Sequence, residues 1–167
     1  MNKKWIIALL SATVFLIPTT TEAAGSYYYW HHGDMDDSTV LNSNFRQAIK
    51  YNHFTYDDVN INTSFKTFKN VMRQNGYSYK KVRTNVYQSR NATFVFKDGR
   101  LNGLYFSFKD YAISSGTIKK HYGTPASINN IKNGKTYVYK SQKGIKNKFD
   151  FVKTSKGYKL AGFMTSK

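Results

Sequence analysis

The sequence predicts an α+β fold: antiparallel β-meanders with short helices packed on one face, built as two tandem helix-plus-meander repeats. Three observations predict it. Apolar residues recur at helical spacing in three short windows, each opened by an Asn, Ser or Thr able to cap a helix. Between and after these windows the period drops to two, with turn residues separating the alternating runs. A Phe-x-Phe, glycine-turn, Leu-x-Gly pattern at residues 94–104 (FVFKDGRLNGL) returns at residues 149–163 (FDFVKTSKGYKLAGF), an offset of about 55–60 residues.

The first residues read as an address label. Lys3 and Lys4 precede an apolar run over residues 5–17, Pro18 ends it, and Thr21 and Ala23 suit the small-residue positions before a cleavage site. This predicts a secretory signal peptide over residues 1–23. The run is shorter than the roughly 20 residues of a membrane span, and no later stretch is apolar enough for one. The chain has no cysteine, so disulfides and lipid attachment at the cut site are excluded. Export without cysteine suits a bacterial route.

Residues 24–60 form an aromatic-then-acidic opening segment and a short helix. Asn44 is a candidate cap, with Phe45, Ala48 and Ile49 on one face. The first repeat spans residues 61–109. Asn62, Thr63 or Ser64 caps a helix whose Phe65, Phe68, Val71 and Met72 share a face, and Gly76 stops it. One strand is expected over residues 80–88, with Val82, Thr84 and Val86 on one side. A second holds Ala92, Phe94 and Phe96, and a third Leu104, Phe106 and Phe108, with Asp98-Gly99 as a hairpin turn. The second repeat spans residues 110–167. Ser114 or Ser115 opens a helix with Ile118 and Tyr122 inward, and Gly123 to Pro125 stop it. Strands follow at 136–141, around Phe149 and Phe151, and at 158–163.

Without residues 1–23 the chain keeps 24 Lys and Arg against eight Asp and no Glu, a balance of 24 − 8 = +16. Charge of this size repels itself and is normally offset by a negative partner. All 14 Tyr and eleven of the 12 Phe lie in this part, too many aromatics for a disordered basic tail.

Catalytic constellations are missing. There is no thiol nucleophile, no Gly-x-Ser-x-Gly elbow and no phosphate-binding loop. His53 and His121 are isolated. His31 and His32 beside Asp34, Asp36 and Asp37 could ligate a metal, but neighbours in sequence near a chain end make a poor cage. No enzyme activity, metal or cofactor is expected. The positive signal is cations interleaved with aromatics on strands. Lys80, Lys81, Arg83, Tyr87, Arg90, Lys97 and Arg100 come from the first repeat, and Lys135, Lys140, Lys146 and Lys148 from the second. Cations neutralise phosphates and release counterions, and flat rings stack unpaired bases. With no base-reading helix or finger, the expected role is sequence-indifferent binding of extracellular DNA or RNA. Teichoic acid and heparin-like glycans are further candidate polyanions.

Several stretches resemble the immunodominant staphylococcal antigen B family: Tyr27-Tyr28-Tyr29 after an export signal, residues 41–51 (LNSNFRQAIKY), residues 117–123 (TIKKHYG) and the C-terminal Thr165-Ser166-Lys167. The resemblance implies a secreted or surface-associated antigen that binds nucleic acid without sequence preference. It carries over no binding residues. The repeat pattern, with Ile118 and the Tyr122-Gly123-x-Pro125 stop, also resembles the repeat of β-lactamase inhibitory proteins. That likeness supplies a rival expectation, a secreted inhibitor or binder of a host protein.

Overall fold

The computed structural model describes residues 27–167. The expected signal peptide and its cleavage site lie outside the described residues. Three α-helices accompany an eight-stranded antiparallel sheet and a two-stranded parallel pair, so the chain is α+β. Among the described residues no helix is long and apolar enough to cross a membrane.

The opening segment contains a pairing the alternation did not reveal. Strand β1 (Tyr29–His31) runs parallel to β2 (Phe54–Tyr56). Between them lies helix α1 (Ser43–Tyr51). Its cap is Asn42 rather than Asn44. The Asn42 side chain accepts from the Asn44 and Phe45 amides at 2.9 and 3.1 Å, which starts the helix before the residue expected to cap it. Phe45, Ala48 and Ile49 are buried as their spacing requires.

Helix α2 (Phe65–Gln74) is capped by Ser64, which accepts from Thr67 N at 3.0 Å. Phe68 and Met72 are fully buried, while Phe65 and Val71 are half-buried at the margins of that face. Four strands follow instead of three: β3 (Lys80–Arg83), β4 (Val86–Ser89), β5 (Ala92–Lys97) and β6 (Arg100–Ser107). The single strand expected over residues 80–88 is a hairpin, because Asn85 takes a left-handed backbone (φ 59°) that Asn tolerates. A register shift between Lys81 and Arg83 completes the change. Val82 is therefore 56 % exposed while Val86 is buried, and the two do not share an environment.

Helix α3 (Ser115–Tyr122) is capped by Ser114, with Ile118 buried. Four strands follow here too: β7 (Ser127–Ile131), β8 (Gly134–Lys140), β9 (Lys146–Thr154) and β10 (Gly157–Ser166). Strand β7 was not expected, since all five of its residues (SINNI) are exposed and carry no alternation. The sheet order is β3-β4-β5-β6-β10-β9-β8-β7, so β6 and β10 lie side by side at its centre.

Register fixes two faces. Ala92, Phe106, Phe163, Phe149 and Tyr137 form one cross-strand row, and Tyr87, Phe94, Leu104 and Thr165 belong to the next on the same side. All three helices pack here. Phe68 meets Phe94 at 4.9 Å, Phe45 meets Phe163 at 5.3 Å, and Tyr122 meets Phe149 at 4.6 Å between ring centroids. Each fully buried Phe contributes about 1.5–3 kcal/mol relative to exposure. Among the described residues no helix packs on the opposite face of the sheet.

Glycines at two places in the sheet do different work. A Cβ on Gly134 would stand 2.3 Å from the Phe151 carbonyl oxygen, a backbone atom held in the sheet. On Gly162 it would meet the end of the Tyr105 ring, which can swing aside. Gly134→Ala is expected to cost about 1–3 kcal/mol in urea unfolding, and Gly162→Ala distinctly less. Equal losses would contradict this account of the two contacts.

Candidate functional site

The open face is assembled by strand parity. One row across it reads Lys80, Gln88, Thr93, Tyr105, Met164, Lys148, Val138 and Ser127. The next runs from Arg83 through Val86, Val95, Gly103 and Ser166 to Lys146 and Lys140. The centre is low in relief. The Tyr105 ring lies across Gly162, and Met164 Cε lies where a Cβ on Gly103 would stand, at 2.8 Å. Burial first, then the nearby Asp150 and Tyr111, raise the Tyr105 pKa, so its hydroxyl stays neutral.

Cations flank this centre. Lys80 and Arg83 stand toward one edge, and Lys97 and Arg100 pair at the β5–β6 hairpin end. Arg100 also donates to the Asn62 carbonyl at 3.1 Å. Toward the other edge Lys140 and Lys146 are direct cross-strand partners, with Lys148 next along β9. Like charges placed opposite one another on a sheet are destabilising. Neither row contains a carboxylate; Asp150, in the row of Gly162 and Thr136, accepts from the Thr136 hydroxyl at 2.5 Å. Among the described residues every ion pair runs from Arg90 or His32 to Asp34, Asp57 or Asp58, and no lysine is paired with a carboxylate.

Not all the residues singled out in the sequence reach this face. Lys81 is the partner of Tyr87, so both belong to the helix side. The Tyr87 ring is packed among Phe65, Phe96 and Tyr79 at 4.7–5.8 Å, which makes it part of the core margin. Lys135 is the partner of Phe151, also on the helix side, with its ammonium 4.2 Å from the Tyr158 ring centroid. Arg90 sits in the turn after β4 and its guanidinium pairs with Asp57, whose side chain is fully buried. It also lies 4.3 Å from the Tyr77 ring.

Charge is divided along the chain as well. Residues 27–60 hold five Asp against Arg46 and Lys50, while residues 61–167 hold 22 Lys and Arg against three Asp. The histidine–aspartate group of the opening segment serves local structure. His31 Nε2 lies 3.1 Å from the Asp34 carbonyl, Asp36 caps a 3-10 turn, and Asp37 accepts from Ala112 N at 3.2 Å. Among the described residues, no group of three His, Cys, Asp or Glu is placed to hold a metal.

The exposed aromatics are Tyr111, at 43 % and close to Tyr105, and two rings of the opening segment, none of them among the candidate binding residues. Tyr28 is 49 % and Trp30 57 % exposed, with their centroids 5.3 Å apart, and Tyr28 stacks on His53 at 4.4 Å. The run Tyr27-Tyr28-Tyr29-Trp30 signalled aromatic density but not which rings would face water.

Comparison with known proteins agrees with the resemblance carried by residues 41–51 and 117–123. The family model described as immunodominant staphylococcal antigen B matches residues 26–159. No curated protein and no solved structure matches.

Proposed function

The chain belongs to the immunodominant staphylococcal antigen B family, and from that premise we propose that it is a secreted, non-enzymatic protein that binds nucleic acid and related polyanions through phosphate contacts. One observation carries the reading. Lys140, Lys146 and Lys148 stand on neighbouring strands of the open face, with Lys140 and Lys146 directly opposed and none of the three ion-paired. A fold tolerates such repulsion where an anion relieves it. Lys80, Arg83 and Lys97 extend the field across the sheet. The family name, a staphylococcal antigen, agrees with an extracellular or surface location, as does the expected signal peptide.

The contacts are to backbone phosphate, since the open-face rows offer lysines and Arg83 around a centre of small and apolar residues and one flat tyrosine, and among the described residues no helix projects from them to enter a groove and read base edges. Affinity for duplex DNA is expected to fall with salt at a log–log slope of roughly −4 to −8, corresponding to about five to nine phosphates. Scrambling the DNA sequence should leave both affinity and slope unchanged. A salt-insensitive or sequence-selective complex would remove this function. Teichoic acid, if it uses the same face, should compete with DNA.

A second reading, binding of a host or competitor protein, is favoured by the edge strand β7. It is uncharged in a strongly basic chain and exposes Ile128 and Ile131 at 52 % each, which suits addition of a partner strand. A stoichiometric complex captured from serum and stable in moderate salt would favour it. The two halves, each a helix followed by four strands and meeting at β6 and β10, support a tandem repeat of the kind resembled in β-lactamase inhibitory proteins.

A further inference from the structure

On the helix side, α1, the C-terminal end of α3 and the strands β8 and β9 enclose a cleft of about 720 Å³. Its walls carry Arg46, Lys50, Lys120 and Lys140, and no carboxylate lines it. That alone describes an anion site. Two further groups sharpen it. Asn147 lines the cleft and is 2 % exposed. Its amide nitrogen donates to the Ile49 carbonyl at 3.2 Å, which fixes the amide's orientation, because the reversed amide would set two acceptors together. Asn147 Oδ1 is left with no donor, and Nε2 of His121, also in the lining, has no hydrogen-bond partner, the tautomer setting whether it gives or takes one. Burial first, then the Arg46 charge, lower the His121 pKa, so the ring is neutral at pH 7. Buried polar groups without partners are rare in native proteins and call for an explanation.

The lining therefore asks for two things at once: negative charge against four cations, and hydrogen-bonding groups against two unpartnered polar atoms, of which Asn147 Oδ1 requires an N–H or O–H donor. As the dianion that a group of cations favours, inorganic phosphate supplies the first but carries a single O–H donor, on the same small group, for the second. A nucleoside has donors but no charge. We infer that this cleft seats a nucleoside monophosphate, with the phosphate among Lys50, Lys120 and Arg46 and the sugar hydroxyls or base amine turned toward Asn147 and His121. The occupant is either a free nucleotide or the phosphorylated end of a strand. The inference rests on the nucleic-acid reading only in choosing a nucleotide over other phosphomonoesters. Lys140 belongs both to this cleft and to the open face, so a strand bound there has its end within reach.

Isothermal titration of the chain lacking residues 1–23 with adenosine 5′-monophosphate, adenosine and inorganic phosphate tests this. The nucleotide is expected to bind at least about tenfold tighter than either part, since charge and donors act together. Lys50 and Lys120 are exposed side chains, so a K50A/K120A variant should fold normally, lose at least about tenfold in nucleotide affinity, and keep the parent's salt slope for duplex DNA. A 5′-phosphorylated oligonucleotide that displaces the nucleotide, where its unphosphorylated twin does not, assigns a strand end. Displacement by neither assigns a free nucleotide. Equal displacement by both, nucleotide binding no tighter than phosphate, or an unchanged affinity in K50A/K120A would overturn the inference. Loss of DNA binding in the parent with nucleotide binding intact would remove the polyanion function and leave the cleft standing.

Discussion

Replacing Arg90 with alanine is expected to destabilise the fold by about 3–5 kcal/mol, the cost of leaving a buried charge without its partner. Asp57 is fully buried, with a left-handed backbone (φ 45°), and the Arg90 guanidinium is its close ion-pair partner, with the half-exposed His32 farther off at 3.7 Å. Gly33 N, at 3.2 Å, also donates to it. Arg90 further holds the opening segment to the sheet, reaching the Tyr56 hydroxyl at 3.4 Å and lying over the Tyr77 ring. For a domain of this size the thermal midpoint should fall by roughly 10 °C. Combining Arg90→Ala with Asp57→Asn should recover part of the loss, because the stranded charge is removed as well. A loss under about 1 kcal/mol would put the pair in the class of solvent-screened surface bridges. Below its melting range, Arg90→Ala should change DNA affinity little, as that guanidinium is already neutralised within the fold.

Arg90 also illustrates which parts of the site can be read from the sequence. Its spacing among cations and tyrosines matched that of the open-face lysines. Nothing local marks Asp57, 33 residues earlier, as its partner, and chain order is a poor guide to a contact made through tertiary structure. Face assignment was more accessible. Residues one or five apart in a regular strand cannot share a face, so Lys80 and Lys81, and Lys135 and Lys140, had to separate. Lys146 and Lys148, two apart, had to stay together, and the register agrees. What parity could not give was which face the helices would cover.

The fold was legible where local chemistry and tertiary structure agree. Ser64 and Ser114 cap their helices, and Phe45, Phe68 and Ile118 face inward. It was misread where one residue's backbone decides. Asn85 folds an apparently continuous strand into a hairpin. Strand β7 was missed because an edge strand exposed on all five residues needs no apolar pattern. The parallel pair of β1 and β2 joins residues 25 apart, Tyr29 with Phe54, across a helix, and three-residue strands are too short to show a period.

The central claim is that binding depends on where the positive charge is carried and not merely on how much there is. Two variants of equal charge separate these. In one, Lys80, Arg83, Lys140, Lys146 and Lys148 of the open face become glutamine. In the other, the exposed Lys66, Lys69, Arg73, Lys81 and Lys119 of the helix side do. Both lose five positive charges, and all ten side chains lack a carboxylate partner among the described residues. The decisive measurement is the slope of log affinity against log salt for duplex DNA. The account predicts that the open-face variant loses about 3–5 units of slope and about 100-fold or more in affinity at low salt, with the helix-side variant close to the parent. Equal losses in both, or an unchanged slope in the open-face variant, would contradict it.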